Sequence, residues 1–200
     1  MSNTDITAVL GRTDIYLADQ IMKDRYKSGD VLLDAGCGSG RNLHWFLRND
    51  FVIYAIDADA AAIQELRQTY SMLPSERFRV NGVEQTSFGT NFFDGIISSA
   101  VLHFARNTAH FFAMLDEMYR VLKPGGHLFI RMASDIGIED RVQLVEDGVY
   151  FLPDGSTRFL LTRRLLAQLI SRYSFSFLED FKTVNVNDLR CMSTLVLHKG

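Results

Sequence analysis

The glycine-rich segment VLLDAGCGSGRN, residues 31–42, constrains the fold more than any other part of the chain. A short apolar run ends at Asp34, and three glycines follow at alternate positions. Glycine lets a backbone turn tightly and approach a ligand closely because it has no Cβ. A helix beginning near Arg41 would then direct its free N–H groups toward that ligand. The segment therefore predicts a strand, a ligand-binding loop and a helix, in that order.

Apolar strands alternate with helices over most of the chain. Asp59 is a candidate N-cap for one helix, and an apolar stripe from Phe111 to Leu122 predicts another. Strands that are apolar throughout and alternate with helices indicate a parallel sheet covered on both faces. In such sheets ligands bind beyond the carboxyl ends of the strands. Five short strands are predicted, at residues 31–35, 51–57, 78–80, 93–99 and 127–132.

The last third of the chain has a different pattern. Residues 149–159 carry apolar flanks around Asp154-Gly155, which predicts a hairpin or a tight turn. A helix is expected at about 162–173. Two further strands follow with a short separation, and they predict an antiparallel pair at one edge of the sheet.

The details of the loop discriminate between nucleotides. A dinucleotide-binding loop needs its third glycine at position 41, where this chain has Arg41. A buried Asp34 would repel a diphosphate, and the P-loop sequence is absent. Asp57 ends the second predicted strand, where a carboxylate commonly accepts hydrogen bonds from ribose hydroxyls. The loop therefore predicts an adenosine that carries a cationic tail without phosphate.

Three motifs in register carry a family resemblance. The D-x-G-x-G-x-G loop with Asp57, the segment FFDGIISSAVLHF (92–104) and the segment VLKPGGHLFI (121–130) resemble the class I S-adenosylmethionine-dependent methyltransferases. This resemblance implies a Rossmann-like three-layer α/β sandwich with a mostly parallel seven-stranded sheet and an antiparallel C-terminal edge strand. It implies S-adenosylmethionine as cofactor and S-adenosylhomocysteine as product. The segments DIYLADQIMKDRY, GRN and LRCMSTLVLHK are similar to the tellurite-resistance and thiopurine-type small-molecule subgroup.

The resemblance also implies which residues bind the cofactor. In the family an Asp after the third strand commonly reads the adenine amino group. Here Gly82 stands at that point, with Glu84 nearby, so the backbone N–H of Val83 is the expected contact to the ring. The cofactor-binding residues implied by the resemblance are Tyr16, Asp34, Gly36, Cys37, Gly38, Asn42, Asp57, Ala58, Gly82, Val83, Ser98 and Ser99.

Methyl transfer from a sulfonium requires in-line alignment of acceptor, methyl carbon and sulfur, so proximity and orientation dominate the catalysis. A hydroxyl or protonated amine acceptor also needs a base, for which His103 is the candidate, and a structural role for His103 is the alternative. Segment 1–28 is expected to form a helical lid, and segment 133–160 an insertion near the acceptor site. Four arginines are candidates for binding an anionic acceptor, or else ordinary surface residues: Arg12, Arg41, Arg158 and Arg190.

Charge and composition narrow the function classes. The 200 residues fit a single methyltransferase domain, and the formal net charge of −3 without a basic stripe disfavours nucleic-acid acceptors. The Asp/Asn-Pro-Pro-aromatic motif of DNA amino-methyltransferases is absent after the fourth strand. Two cysteines, and the lack of a signal peptide or apolar span, predict a cytoplasmic protein without membrane contact, as a monomer or homodimer. The four other histidines lack metal-ligand spacing, so no metal is predicted: His44, His110, His127 and His198.

These observations favour a methyltransferase for a small-molecule acceptor. A methyltransferase acting on RNA or protein is the first alternative. A protein that binds S-adenosylmethionine without transferring methyl is the second. A dinucleotide oxidoreductase is disfavoured by Arg41 and Asp34.

Overall fold

The computed structural model describes residues 6–200 and contains one large sheet, one small sheet and six α-helices in that range. The elements in chain order are α1 (Ile6–Leu10), α2 (Ile15–Met22), β1 (Val31–Ala35), α3 (Leu43–Leu47), β2 (Val52–Asp57), α4 (Ala60–Thr69), β3 (Phe78–Val80), β4 (Phe93–Ser99), α5 (Thr108–Val121), β5 (Leu122–Ser134), β6 (Gln143–Glu146), β7 (Val149–Phe151), β8 (Thr157–Phe159), α6 (Arg163–Arg172), β9 (Phe175–Phe177), β10 (Lys182–Val186) and β11 (Arg190–Lys199).

The first five strands form the parallel part of the large sheet, in the order β3-β2-β1-β4-β5. The predicted strands are confirmed, and all but one of their boundaries agree within two residues. Strand β5 begins earlier than predicted, at Leu122, because that residue pairs with Phe93 before a register shift. Gly126 lies in this irregular stretch, where a Cβ would come within 2.9 Å of the Asp94 carbonyl oxygen.

The remaining strands of the large sheet confirm the predicted antiparallel pair. β11 runs antiparallel to β5, and β10 pairs antiparallel with β11. β9 also pairs with β11, beside its last residues. β9 and β10 both run antiparallel to β11 and therefore in the same direction as β5. They pair with different parts of β11 and together occupy one edge position of the sheet. The sheet therefore has the seven strand positions that the family resemblance implies.

Helices cover both faces of the large sheet. Helices α2, α3 and α4 pack on one face, and α5 and α6 pack on the other. Asp59 caps α4 as predicted, since its carboxylate accepts a hydrogen bond from the N–H of Ala61. α3 begins at Leu43, slightly later than expected, and none of the helices in residues 6–200 has the length and hydropathy that crossing a membrane requires.

The small sheet, in the order β6-β7-β8, lies within the predicted insertion. Strands β7 and β8 form the hairpin expected around Asp154-Gly155, whereas β6 has exposed residues and was not predicted. Phe159 anchors this sheet, because its buried ring stacks on Phe111 of α5 at 5.0 Å between centroids. The insertion is thereby fixed beside the carboxyl end of β5.

Candidate active site

The glycine loop after β1 is held by backbone hydrogen bonds and by close packing. The N–H groups of Gly36 and Cys37 both donate to the carbonyl oxygen of Ile56, at 2.9 Å. Gly36 has a φ of +78°, and a Cβ there would lie 2.5 Å from a methyl group of Val101. A Cβ at Gly40 would come equally close to Leu66 of α4. At both positions the positive φ, +75° at Gly40, and the close side chain disfavour any residue with a Cβ.

Gly38 differs from its neighbours in the loop. Its φ is +51°, and a Cβ there would meet no described atom within 4 Å. Its N–H donates to Oδ2 of Asp57 at 2.8 Å, while Oδ1 of Asp57 accepts from the N–H of Asp59 at 2.9 Å. Gly38 therefore presents bare backbone beside the carboxylate predicted to bind ribose.

Asp34 is a buried acid, only 1% exposed. Among the described residues, neither carboxylate oxygen of Asp34 has a hydrogen-bond partner. Burial raises the pKa of Asp34 to about 7, the charge of Arg41 and the nearby side chain of Asn42 oppose the shift, and the charge of Asp57 adds to it. A buried carboxylate without a partner is costly, so the site fits a cationic group. S-adenosylmethionine offers such groups, and the residues present are compatible with that cofactor.

Cys37, between these groups, is buried as well. Burial raises the pKa of its thiol, and the nearby charges of Asp34 and Asp57 add to the effect. The neutral thiol is a poor nucleophile. Cys37 thus fills the loop, in keeping with its predicted contact to the cofactor through the backbone.

The segment before α2 is attached to this cleft through Asp14, which is nearly buried. Oδ2 of Asp14 lies 3.1 Å from Nη1 of Arg131 and 3.4 Å from Nη2 of Arg41, and it accepts a hydrogen bond from the Ser99 hydroxyl at 3.3 Å. Oδ1 caps α2 by accepting from the N–H of Tyr16. Asp14 thus connects the segment before α2 to the ends of β4 and β5.

Asn42 and Tyr16 complete this corner. The side-chain oxygen of Asn42 accepts the N–H of Asp14 at 3.1 Å, and the guanidinium of Arg131 lies 5.0 Å from the centre of the Tyr16 ring. Sequence reasoning missed Asp14 and Arg131. An Asp directly before an apolar helix signals an N-cap, and a lone charge at the end of a buried strand signals a site.

The end of β3 lines an open groove with Ala58, where the adenine ring is expected. Gly82 lies there, and a Cβ would come within 2.6 Å of Oε2 of Glu84. Glu84 also approaches Nε2 of His110, at 3.4 Å. A carboxylate is therefore present at the end of β3, although it comes from Glu84 and not from the position the family commonly uses. Val83 is buried beside it.

At the end of β4 the chain turns sharply. Ser98 is fully buried, and among the described residues its hydroxyl has no hydrogen-bond partner. Ala100 adopts a φ of +64°, a strained conformation for a residue with a Cβ, and donates its N–H to the carbonyl of Arg131 at 2.7 Å. This turn leads into a short 3-10 helix, Leu102–Phe104. It places His103 next to the carboxyl end of β5.

A pocket of about 290 Å³ lies beyond His103. Arg131 lines this pocket and also pairs with Asp14, on the side of the predicted cofactor site. The pocket is lined by the 3-10 helix, the β7–β8 hairpin and the ends of β10 and β11, namely His103, Arg131, Ala133, Leu152, Asp154, Ser156, Arg158, Val186, Arg190, Cys191 and Met192.

Two of the four candidate arginines line this pocket, Arg158 and Arg190. The structure does not bring the other two there. Arg41 points to Asp14 and to the hydroxyl of Ser99, at 2.8 Å, and Arg12 is exposed in the segment between α1 and α2. Local sequence could not separate the two pairs, because the pocket joins segments far apart in the chain.

His103 is buried in the pocket wall. Its Nδ1 accepts a hydrogen bond from the N–H of Ala133 at 3.3 Å. Burial lowers the pKa of His103 to about 4, and the charges of Arg158 and Arg131 act in the same direction. The ring is therefore neutral near pH 7.

Comparison with known proteins agrees with this architecture. Residues 33–130 match the family model described as a methyltransferase domain. The chain is 31% identical over 108 residues, 49% of its length, to the biotin biosynthesis bifunctional protein BioHC of Teredinibacter turnerae, and covers 18% of that protein. It is 29% identical over 155 residues, 70% of its length, to the tRNA N(3)-cytidine methyltransferase METTL6 of Mus musculus, covering 53% of it.

The fold also resembles a solved structure, the 1,6-didemethyltoxoflavin-N1-methyltransferase of Burkholderia thailandensis, with a TM-score of 0.68 and 21% identity. That likeness covers 98% of this chain and 81% of the other. The chain spans about half or less of the length of the curated relatives named above. We therefore identify residues 33–130 as a methyltransferase domain, and the chain shares the Rossmann-like fold of a solved S-adenosylhomocysteine-bound methyltransferase.

Proposed function

We propose that the chain transfers the methyl group of S-adenosylmethionine to a small-molecule acceptor. The observation that carries this proposal is the placement of two acids around Gly38. Asp57 receives the N–H of Gly38 at 2.8 Å, and Asp34 lies buried without a hydrogen-bond partner among the described residues. One acid suits ribose hydroxyls, and the other suits a positively charged tail.

The chain's own residues then orient the reaction. When bound, S-adenosylmethionine supplies a methyl group on a positively charged sulfur. Asp57 would accept hydrogen bonds from the ribose, and the groove at Ala58, Gly82 and Glu84 would receive the adenine. Ser98 and Ser99 would line the methionine side at the end of β4. Their fixed positions supply proximity and orientation, which is the main requirement of an in-line displacement.

The size of the pocket supports a small acceptor. It is bounded by a hairpin and by two strand ends, and its volume of about 290 Å³ is at the lower limit of small-molecule sites. The named small-molecule enzyme with the same fold acts on 1,6-didemethyltoxoflavin, which supports the same class of acceptor here. The likeness to the tellurite-resistance and thiopurine-type subgroup belongs to this proposal.

An RNA acceptor is the second candidate, because METTL6 is similar over 70% of the chain. RNA binding relies on neutralising phosphates with basic side chains. The net charge of −3 and the dispersed arginines weaken this candidate. A protein that binds the cofactor without transferring methyl is the third.

Calorimetric titration tests the cofactor assignment. The purified protein, freed of copurified ligand, is expected to bind S-adenosylmethionine and S-adenosylhomocysteine and not NAD. Asp57→Ala should weaken both affinities at least ~100-fold, because two hydrogen bonds to a charged acceptor are lost. Asp59→Ala, which removes an acid two residues away, should leave the affinities within about twofold. A folded protein that binds neither compound would overturn the proposal.

Transfer is tested by following S-adenosylhomocysteine formation with a panel of thiols, carboxylic acids and unmodified tRNA. Turnover of a small molecule with no turnover of tRNA supports the proposal. Turnover of tRNA alone would replace it by the RNA candidate. Cofactor binding without turnover of any acceptor would favour the non-catalytic alternative.

A further inference from the structure

The pocket beside His103 has a chemical preference that goes beyond its size. We propose that it binds an oxyanion of the acceptor, such as a carboxylate, through Arg158, Arg190 and the Nε2–H group of a neutral His103. This inference rests on the proposed function, since it names the class of molecule that the enzyme would methylate.

The pocket lining carries more positive than negative charge. Three arginines and one acid line the pocket. Arg131 is paired with Asp14 at 3.1 Å, whereas neither Arg158 nor Arg190 forms a salt bridge within residues 6–200. The lining thus holds two unpaired cations in a chain with a negative net charge. Such a local excess attracts an anion.

The one acid in the lining is Asp154. Oδ1 of Asp154 accepts hydrogen bonds from both the N–H and the hydroxyl of Ser156, at 2.9 and 2.6 Å. These bonds lower the pKa of Asp154, and the charges of Arg190 and Arg158 lower it further. Asp154 is therefore committed to the turn of the hairpin. Its negative charge offsets one of the two unpaired arginines, Arg158 and Arg190, so one positive charge stays in excess.

Two contacts fix the position of Arg158. One of its terminal nitrogens donates to the carbonyl of Thr157 at 2.8 Å, and its guanidinium lies 5.2 Å from the centre of the Phe104 ring. Stacking on an aromatic ring holds the planar fork in place. The other N–H groups of the fork stay available. This fork matches the two oxygens of a carboxylate.

The hydrogen bond from Ala133 fixes the tautomer of His103. A ring nitrogen that accepts a hydrogen bond carries no proton, so the bond from Ala133 to Nδ1 places the proton of the neutral ring on Nε2. Within the described residues Nε2 has no hydrogen-bond partner. To act as a base, His103 would have to give up the bond from Ala133. The geometry therefore favours a donor role over the base role predicted from the sequence.

All three groups are thus donors, and two are charged. This set complements an oxyanion and mismatches a cation or an amine. A single pocket of about 290 Å³ accommodates one anionic group with a small body.

Binding of simple probes to the protein saturated with S-adenosylhomocysteine tests the proposal. The probes are benzoate, inorganic phosphate and the neutral isostere benzamide, each titrated by calorimetry. We expect benzoate or phosphate to bind at least tenfold more tightly than benzamide. The ratio of benzoate to phosphate affinity distinguishes a carboxylate acceptor from a tetrahedral oxyanion. Equal binding of benzoate, phosphate and benzamide would overturn the proposal.

Variants locate the effect. The double variant Arg158→Gln/Arg190→Gln should weaken anion binding at least tenfold and leave the affinity for S-adenosylhomocysteine within twofold. Arg163→Gln, an exposed arginine outside the pocket lining, is the matched control and should change neither. If the unmodified protein does not bind S-adenosylhomocysteine, the proposed function is wrong. Unchanged anion binding in the double variant contradicts only the present inference.

The role of His103 has its own measurement. ¹⁵N NMR of the histidine ring should report the neutral tautomer with the proton on Nε2. His103→Gln, which keeps a side-chain N–H donor but cannot serve as a base, should retain anion affinity within threefold. A proton found on Nδ1, or anion binding unaffected when His103 is replaced by Phe, would remove His103 from the proposal.

Discussion

The two cavities of this domain are built by different means. The floor of the predicted cofactor cleft is mostly backbone, since the N–H groups of Gly36 and Cys37 donate to the carbonyl of Ile56 and Gly38 presents its N–H to the carboxylate of Asp57. The proposed acceptor pocket is made of side chains from three distant segments, around His103, around Arg158 and around Arg190. A cleft formed by backbone tolerates little change in shape. A pocket formed by side chains on hairpins can change its ligand through single substitutions.

Because each cavity depends on a different kind of interaction, substitutions in the two should lower the stability of the fold by different amounts. The free energy of unfolding, measured by urea denaturation, serves as the common scale. The expected effects below decrease from the packing of the acceptor side to the conformation of a single loop residue.

The largest effect is expected at the anchor of the small sheet. Phe159→Ala should lower the free energy of unfolding by about 3–5 kcal/mol, because a buried ring that stacks on Phe111 is removed from the core. Phe151→Ala, on the same sheet but 46% exposed, should cost less than ~1 kcal/mol. Equal, small effects of the two substitutions would mean that the small sheet is an appendage and not part of the folded unit.

The next effect depends on pH and concerns Asp34. Its pKa is raised from 3.8 to about 7 in the folded state, so the unfolded chain releases this proton first as the pH rises. The folded state should therefore lose stability between about pH 4 and pH 7, by up to ~4 kcal/mol, and change no further above that range. Asp34→Asn should remove this part of the pH dependence. Parallel profiles for the two proteins would show that Asp34 is ionised in the fold.

The cofactor side could be predicted from the sequence because its signals are local. A glycine with positive φ, an acid at a strand end and a helix cap each leave a mark within a few residues. The loop at 36–40, Asp57 and the cap at Asp59 were therefore predictable, as were five of the strands. Three-dimensional proximity added only the distances between them.

The acceptor side could be predicted only in part because its contacts are long-range. Arg158 and Arg190 were candidates together with Arg12 and Arg41, and only the fold separates the two pairs. Strand β6 has no alternation of buried and exposed residues, so it gave no periodic signal. The tautomer of His103 depends on the N–H of Ala133, thirty positions away along the chain.

Asp14 links Arg41, after the glycine loop, to the pocket residue Arg131, and its removal is expected to cost less than the loss of Phe159. Asp14→Ala should lower the free energy of unfolding by about 1–3 kcal/mol, because Arg131 and Arg41 lose a buried partner but keep partial access to water. Trypsin cleavage after the exposed Arg12 should become faster. The control Glu139→Ala removes an exposed acid 3.8 Å from Arg163 and should cost less than ~1 kcal/mol. If Asp14→Ala lowers the free energy of unfolding no more than Glu139→Ala does, the contacts of Asp14 with Arg41 and Arg131 do not stabilise the fold.

The smallest effect on stability is expected at Gly38, where the effect on binding should be large. Gly38→Ala and Gly125→Ala both place a Cβ at a positive φ with no described atom within 4 Å. Each should therefore cost about 1–2 kcal/mol, the cost of the left-handed conformation alone. Gly36→Ala should cost more, since its Cβ would also lie 2.5 Å from Val101.

Affinity for S-adenosylmethionine then separates the two mild variants. Gly125 lies in the turn before the buried part of β5, near Asp94 and Lys123 and remote from the glycine loop. We expect Gly125→Ala to keep the affinity, and Gly38→Ala to lose at least tenfold, because its Cβ would enter the open space over the loop where the ribose is expected to approach. Equal affinities would show that the cofactor does not contact the backbone of Gly38, and the contrast between a backbone cleft and a side-chain pocket would then be wrong for this part of the molecule.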